Sequence, residues 1–461
     1  MTSPSLAATI DRDMEASITR TTWRFWLALF VAAGFAALGG WAWSQILQVG
    51  FGLTGLDTPV MWGTLITNFV FFIGVSHAGT LVSAILFFAR SPIRAGIGRS
   101  AEAMTVIAIM TAGLFPVIHL GRAWLCFWLL PYPNERQIWP NFHSPLVWDV
   151  FAITSYVTIS ALFLYMGLLP DLASLGRRLR GVRGWLYRSL SLGFSGTDGE
   201  WSLYEKAYPI FAGVVIPLAV SVHSVVSWDF AMSITPGWHS TIFAPYFVAG
   251  AIFSGVALAI ILLAILRRAY NLHAYIRESH FDILARLMLA MSLIMTLVYV
   301  TEVFLSVFHG ERAERDLYVW RMVGSQAPIF WSVIFCNSIA PLLCFSRRVR
   351  VDLRLLLVVA FLVSLGMWIE RYMIVVTSLS HGYDPAQWGS YTPSRYELMI
   401  TAGAFGWFTM LFMIFVKVFP SISISETKQA EHAQSSPDAG HAQSAEHAAI
   451  AIPTTAGESH A

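Results

Sequence analysis

The sequence predicts an all-α integral membrane protein with ten transmembrane helices. Hydrophobic residues make up 56% of the 461 residues and charged residues only 12%, whereas a soluble domain carries about 25% charged residues. Ten apolar stretches are each long enough to cross a hydrocarbon core of about 30 Å, which needs roughly 20 helical residues. Basic residues flank these stretches mainly on one side. Together these observations exclude a soluble globular fold.

The ten predicted spans follow one another with mostly short connections. They cover residues 23–46, 60–89, 103–130, 146–169, 208–231, 243–266, 283–308, 326–345, 355–379 and 396–419. We expect spans two to five and six to nine to form two four-helix bundles, over residues 60–231 and 243–379, because internal repeats are common among membrane proteins. The spans 23–46 and 396–419 are then two outlying helices.

The arginine residues set the predicted orientation. Cytoplasmic connections hold an excess of Lys and Arg. The connections after spans two, four, six and eight carry most of them: Arg90, Arg94, Arg99; Arg177, Arg178, Arg180, Arg183, Arg188; Arg267, Arg268, Arg277; Arg347, Arg348, Arg350, Arg354. Both termini are therefore expected to be cytoplasmic, in a multi-pass protein of a bacterial cytoplasmic membrane.

Three segments are predicted to lie on the cytoplasmic side. Residues 1–22 are polar, and no small-residue cleavage site follows, so a cleavable signal is not expected. Residues 420–461 are rich in Ala, His, Ser and Glu without apolar periodicity, which predicts a disordered tail. The long connection 177–206 is expected to form an interfacial helix around 185–192 or to contact a partner.

The composition argues against redox centres and nucleic acid as ligands of this chain. Cys126, Cys336 and Cys344 lack CxxC spacing, so neither an iron–sulfur cluster nor another metal site is expected. A net charge of +2 and the lack of a basic run interleaved with aromatic residues give no indication of nucleic-acid binding.

Ionisable residues inside the spans indicate a function. Such residues cost several kcal/mol in hydrocarbon and usually face a cavity. Counting from the span ends places His119, Asp149 and Asp229 at a similar depth near the outer face. Imidazole and carboxylate groups accept protons near neutral pH, so they suit the oxidation of a quinol, which releases two protons with two electrons. Each residue alone also has a structural interpretation, and their common depth favours function.

Other polar and aromatic residues extend this candidate site. Arg122 follows His119 by one turn, Trp228 precedes Asp229, and His223 and His77 lie deeper in their spans. We expect all four to contribute to quinol binding. For His77 and His223 a structural role, as hydrogen-bonded core histidines, stays open.

The second half carries its own buried charges, namely Glu302, Glu370 and Arg371. They indicate either a proton path or a structural network. Because adjacent helical residues point to different faces, Glu370 and Arg371 are not expected to form one salt bridge.

Seven motifs permit a comparison with a known family. They are His77-Ala78-Gly79-Thr80 and residues 99–105, 116–122, 130–134, 144–149, 227–229 and 236–243. These motifs resemble the NrfD/PsrC family of quinone-binding membrane subunits of polysulfide-reductase-type complexes. The last four narrow the resemblance to the ActC-type subunits of bacterial alternative complex III. The resemblance covers roughly residues 20–420.

The resemblance implies the quinol-binding membrane subunit of a respiratory quinol:electron-acceptor oxidoreductase that oxidises menaquinol near the periplasmic face. Electrons would pass to a periplasmic iron–sulfur subunit, then to c-type haem subunits and to a cytochrome c or a terminal cytochrome oxidase. A paralogous NrfD-like membrane subunit would share the complex. The matching motifs carry over His119, Asp149 and Asp229 as the quinol site, together with His77.

Three alternatives stay open at this stage. One is a non-catalytic membrane anchor or proton-path subunit of the same type of complex. Another is a secondary transporter, although transporter sites favour broken helices near the midplane. The last is a membrane cytochrome b with haem between His119 and His223, which a haem spectrum would reveal.

Overall fold

A computed structural model of the protein describes residues 6–91, 93–130, 137, 139, 141–308 and 310–435. Regular structure in these residues is helical, apart from a bridge between Asp57 and Val60. Ten helices in this part of the chain are long and apolar enough to cross a membrane, which confirms the predicted fold class. They are, in order, Trp23–Val49, Thr64–Phe88, Arg94–His119, Pro145–Arg178, Asp198–Ala231, Phe243–Ala269, Glu278–Phe308, Ala327–Phe345, Leu353–Ser380 and Arg395–Val418.

Several span boundaries differ from the predicted ones. The third span begins at Arg94 and ends at His119, whereas residues 103–130 were expected. The first turns of this helix can contain charged residues because Arg99 is buried in ion pairs with Glu102 and Asp171. The helix ends where Gly121 adopts a φ of 68°, a left-handed conformation that favours glycine. The fourth and fifth spans are also longer than predicted, reaching Arg178 and beginning at Asp198.

The helices make contacts both within and between the two predicted groups of four spans. Spans two to five contact one another, as do spans six to nine. The second and fifth spans both pack against the sixth span, so the two groups share an interface. We call the side of the molecule that carries both described chain ends the terminal side. The opposite side, with residues 50–63, 120–130 and 232–242, is the loop side.

The first and tenth spans pack tightly against each other through glycine. A Cβ atom added to Gly39 would lie 2.7 Å from the Cα of Gly403, and one added to Gly406 would lie 2.6 Å from the Cβ of Phe35. Small residues that let two helix backbones approach are the usual basis of helix association in membranes. The two outlying helices are therefore partners of each other.

The chain beyond the tenth span is folded up to residue 435, which corrects part of the predicted disorder. Residues Ile424–Ser435 form a helix, and Ile422 and Ile424 are buried. The remaining residues of the predicted disordered tail, 436–461, lie outside the described residues. The helix could not be predicted from the sequence because its stability comes from contacts with distant polar residues. Asp171 accepts hydrogen bonds from the backbone N–H groups of Ile424 and Ser425, at 3.2 and 3.0 Å.

Truncation of the chain tests this packing. Ending the chain at Pro420 is expected to lower its thermal stability, because Asp171 loses two backbone N–H donors and Arg94 loses its ion pair with Glu426, and lost hydrogen bonds to buried charged groups are costly. A chain ending at Ser435 keeps all these contacts and serves as the control. Thermal unfolding in detergent should separate the two chains, and equal midpoints would show that the contacts do not stabilise the fold.

Candidate functional site

The carboxyl groups of Asp149 and Asp229 meet at the loop side. Asp149 is the fifth residue of the fourth span, which begins with Pro145 after the N-cap Ser144. Asp229 lies in the last turn of the fifth span. The two side chains are in hydrogen-bonding contact. Since two adjacent negative charges repel, such a pair holds one proton between its members.

Two tryptophan residues frame this carboxyl pair. The indole rings of Trp148 and Trp228 pack edge to face with centroids 6.1 Å apart. The Trp148 Nε1 donates to the carbonyl of Phe142 at 2.7 Å, which ties the preceding loop to the helix. Asp149 is buried, and each aspartate has a buried Oδ1 without a partner among the described residues. No described donor satisfies these two buried acceptor atoms.

His119 contacts other parts of the protein than the carboxyl pair does. Its ring is 6.0 Å from the ring of Phe51, and the carboxylate of Glu397, at the start of the tenth span, is close enough to act on it electrostatically. The Nδ1 of His119 is buried and has no partner within the described chain. The described residues therefore bring Asp149 and Asp229 together but include no contact between His119 and either of them. Arg122 is exposed beyond the end of the third span.

His77 and His223 form a buried pair deep in the protein. Their ring centroids are 4.7 Å apart, and the ring of Tyr156 stacks on His77 at 4.5 Å. His77 bonds the Ile73 carbonyl through Nδ1 at 2.6 Å. The other nitrogen of His77 and both nitrogens of His223 lack a hydrogen-bond partner in the part of the chain that the structure describes. Tyr156, which was not predicted as a site residue, also bonds Thr80 at 2.7 Å.

Glu370 and Arg371 form an ion pair, contrary to the sequence-based expectation. Arg371 Nη1 lies 3.4 Å from Glu370 Oε1, and both side chains are buried. The two long side chains reach each other although their Cα atoms face different sides of the helix. Glu370 also accepts hydrogen bonds from Tyr246 at 2.6 Å and Tyr299 at 2.5 Å, and from Asn337 at 3.1 Å.

Two π-helical turns accompany this ion pair. Residues Met373–Thr377 follow it in the ninth span, and residues Phe335–Ile339, which include Asn337, lie in the eighth. Turns of this kind inside α-helices occur frequently at functional sites. Their position supports a role for the Glu370 network beyond packing.

Glu302 lies nearer the loop side, next to a small cavity. It accepts hydrogen bonds from Ser240 at 2.8 Å and Tyr318 at 3.0 Å. The cavity measures about 30 Å³ and is also lined by Tyr246 and Tyr299. A water molecule occupies about 30 Å³ in the liquid and needs polar partners. The cavity therefore has room for one water molecule beside Glu302, Tyr246 and Tyr299.

A second buried charge cluster, which was not predicted, lies on the terminal side. Arg99 pairs with Asp171 at 3.2 Å. Glu102 accepts a hydrogen bond from Ser83 at 2.6 Å and lies 3.9 Å from Arg94. Acidic and basic residues within an apolar span were the available signal, but their pairing across helices was not predictable from one sequence.

These elements offer two kinds of chemistry. The carboxyl pair on the loop side provides a proton acceptor beside the indole rings of Trp148 and Trp228. Glu302, Glu370, His223 and His77 lie farther inside the protein, and carboxyl and imidazole groups are the kinds of side chain that accept and donate protons. No cluster of three or more His, Cys, Asp or Glu side chains suited to a metal ion occurs among the described residues.

Comparison with known proteins identifies the family. Residues 52–381 match the family described as "Polysulphide reductase, NrfD". A dimethyl sulfoxide reductase membrane subunit of Halobacterium salinarum is 31% identical over 52% of this chain, and the alignment spans about half (51%) of that relative. An Hdr-like menaquinol oxidoreductase integral membrane subunit of Archaeoglobus fulgidus is 23% identical over 87% of this chain and 94% of its own length. A selenate reductase subunit of Mesobacillus selenatarsenatis is 24% identical over 85% of this chain and 93% of its own length.

The matched region includes all the residues of the candidate site. It begins at the loop before the second span and ends just after the ninth, so it contains both groups of four helices. The chain is a multi-pass integral membrane protein that belongs to the NrfD family of polysulphide reductase membrane subunits.

Proposed function

We propose that this chain is the quinol-binding membrane subunit of a multi-subunit respiratory oxidoreductase. The contact between Asp149, which is buried, and Asp229 is the observation that carries the proposal, because it supplies a proton acceptor at a membrane-embedded aromatic site. A relative of similar length is named as a menaquinol oxidoreductase subunit. That name makes menaquinol the proposed substrate. Partner subunits with iron–sulfur clusters and c-type haems would take the electrons.

The proposed reaction is the oxidation of the hydroquinone to the quinone. The ring loses two electrons to the partner subunits and two hydroxyl protons to nearby bases. The ionised member of the Asp149–Asp229 pair takes one proton from the hydroxyl nearest to it. His119 is the proposed acceptor for the second hydroxyl proton. This proton would reach His119 directly from the hydroxyl at the opposite edge of the quinol ring or through water. Both protons then leave on the loop side, which the arginine distribution predicts to be the periplasmic face.

A second role is proposed for the polar residues between the two groups of helices. Glu302, Glu370 and Arg371 would form a proton path that continues toward His223 and His77. Arg371 and His223 are separated by the ring of Phe247. The centroid of this ring lies 4.4 Å from the guanidinium carbon of Arg371 and 5.8 Å from the centroid of the His223 ring. Proton transfer between Arg371 and His223 requires water beside the Phe247 ring. The path is therefore expected to conduct protons only when water enters there.

The type of complex is a narrower proposal. The motifs at residues 130–134, 144–149, 227–229 and 236–243 resemble ActC of alternative complex III, and this resemblance alone supports that assignment. The relatives named above carry the names of other reductases and oxidoreductases. The competing function is a non-catalytic anchor or proton-path subunit. Quinol-dependent reduction of the partner haems, measured in the isolated complex, distinguishes a catalytic subunit from an anchor.

Replacement of His119 tests whether it belongs to the quinol site. His119→Ala is expected to weaken the binding of a quinol-analogue inhibitor by about tenfold, because loss of a hydrogen bond of about 1–1.5 kcal/mol corresponds to that factor. The measurement is an inhibition curve of the purified complex. His143→Ala, an exposed histidine on the loop side, is the control. Inhibition equal to that of the control variant would assign His119 a structural role.

A further inference from the structure

An apolar groove runs between the first and tenth spans on the outer surface of the bundle. It has a volume of about 640 Å³, which lies within the range of about 300–1,000 Å³ for small-molecule sites. Its walls are, on the first span, Leu27, Ala28, Val31, Ala32 and Phe35, and on the tenth, Ala402, Phe405, Gly406 and Thr409. Small side chains form its floor and larger apolar ones its rims, so an apolar chain fits along it.

Among the described residues, one cation lines the groove, at its terminal-side end. Arg24 is exposed, with its guanidinium carbon 5.9 Å from the ring centroid of Trp23. Lys417, also near this end, donates to the backbone carbonyls of Ser17 and Arg20 at 2.8 and 2.7 Å. Lys417 is thus occupied within the protein, and the Arg24 side chain is placed to bind a ligand in the groove.

The charge of the surrounding sequence is entirely positive. The chain has no Asp or Glu between Glu15 and Asp57, or between Glu397 and Glu426. The two helices that form the groove therefore carry no acid along its walls. An anionic group beside Arg24 meets no repulsion from either helix, and a basic site at the end of an apolar groove has the chemistry of anionic-lipid recognition.

The dimensions match one leaflet of a bilayer. The first-span wall extends from Arg24 to Phe35, about 16 Å at 1.5 Å per helical residue, and half of a hydrocarbon core measures about 15 Å. We propose that this groove binds one anionic phospholipid of the terminal-side leaflet, with its phosphate on Arg24 and an acyl chain along Val31 and Phe35. The site is separate from the proposed quinol site on the loop side.

Lipid titration followed by native mass spectrometry tests the proposal. The full-length chain, in its complex, is titrated with phosphatidylglycerol or with phosphatidylcholine of the same acyl chains. One arginine near a membrane surface contributes about 1 kcal/mol, so we expect the first phosphatidylglycerol to bind about fivefold tighter than phosphatidylcholine. Arg24→Gln should abolish this preference. Arg354→Gln, an exposed arginine at the terminal-side start of the ninth span, should keep it.

Two further variants separate the groove from the surrounding surface. Ala28→Phe should remove the first binding step for both lipids by filling the groove. A photoreactive p-benzoylphenylalanine in place of Val31 should cross-link to a lipid in native membranes. Equal affinities of the wild type for the two lipids, an unchanged preference in Arg24→Gln, or a cross-link to a polypeptide would each overturn the proposal. The Arg24→Gln result decides the matter even where Ala28→Phe fails to fold.

Discussion

Replacing Asp229 by Asn is expected to lower quinol:acceptor turnover by about 10²–10⁴-fold, the usual contribution of a general base. The amide cannot accept the hydroxyl proton of the quinol, and it leaves Asp149 as the sole carboxyl group of the pair. Asn keeps the size of the side chain and one acceptor oxygen, so assembly of the complex should persist. Steady-state turnover of the purified complex, at matched amounts of every subunit and with an unchanged haem spectrum of the partners, measures the effect.

Two comparisons make this result specific. Asp384→Asn removes a different loop-side carboxylate, one that caps a short helix by accepting from the Ala386 N–H at 2.9 Å. Asn also accepts this bond, so turnover should stay normal. The double variant Asp149→Asn/Asp229→Asn should lose little more activity than either single variant, because residues that act as one unit are not additive. Normal turnover in Asp229→Asn would place quinol oxidation outside this chain.

The sequence predicts how deep a residue lies in the membrane better than it predicts which neighbours its side chain faces around the helix. Arginine asymmetry and span length together place His119, Asp149 and Asp229 near one face, and the contact between the two aspartates agrees with that expectation. The rotation of each helix depends on its packing partners, which a single sequence does not provide. His119 consequently lies beside Phe51 and Glu397, although its depth was predicted in the same way.

Contacts between distant segments explain the other differences. Tyr156 looks like an ordinary aromatic residue of an apolar helix, and only the packing of the second span places His77 against its ring. The helix Ile424–Ser435 has little apolar character of its own, and the carboxylate of Asp171 fixes the residues at its start. Neither interaction leaves a local signal in the sequence.

Breaking the Glu370–Arg371 pair is expected to have the largest effect on stability. Glu370→Leu leaves the Arg371 guanidinium buried without its carboxylate, and removal of one partner of a buried ion pair costs about 3–5 kcal/mol. Arg371→Leu should cost less, because three donors, Tyr246, Tyr299 and Asn337, still bond Glu370. The free energy of unfolding, obtained by titration with sodium dodecyl sulfate in mixed micelles, measures both changes.

The double variant separates stability from proton transfer. Replacing a buried ion pair by apolar side chains is often neutral or stabilising, so Glu370→Leu/Arg371→Leu should regain the part of the stability that Glu370→Leu loses through the unpaired guanidinium. The part due to the Tyr246, Tyr299 and Asn337 donors, which lose their acceptor in both variants, should remain lost. A sum of the two single effects would contradict the pairing. If Glu370 and Arg371 also conduct protons, the refolded double variant in proteoliposomes should release fewer protons per quinol oxidised than the wild type, at unchanged quinol binding. An unchanged proton ratio would leave the pair with a structural role, and the loop-side carboxyl pair would then account for proton release without a transmembrane path.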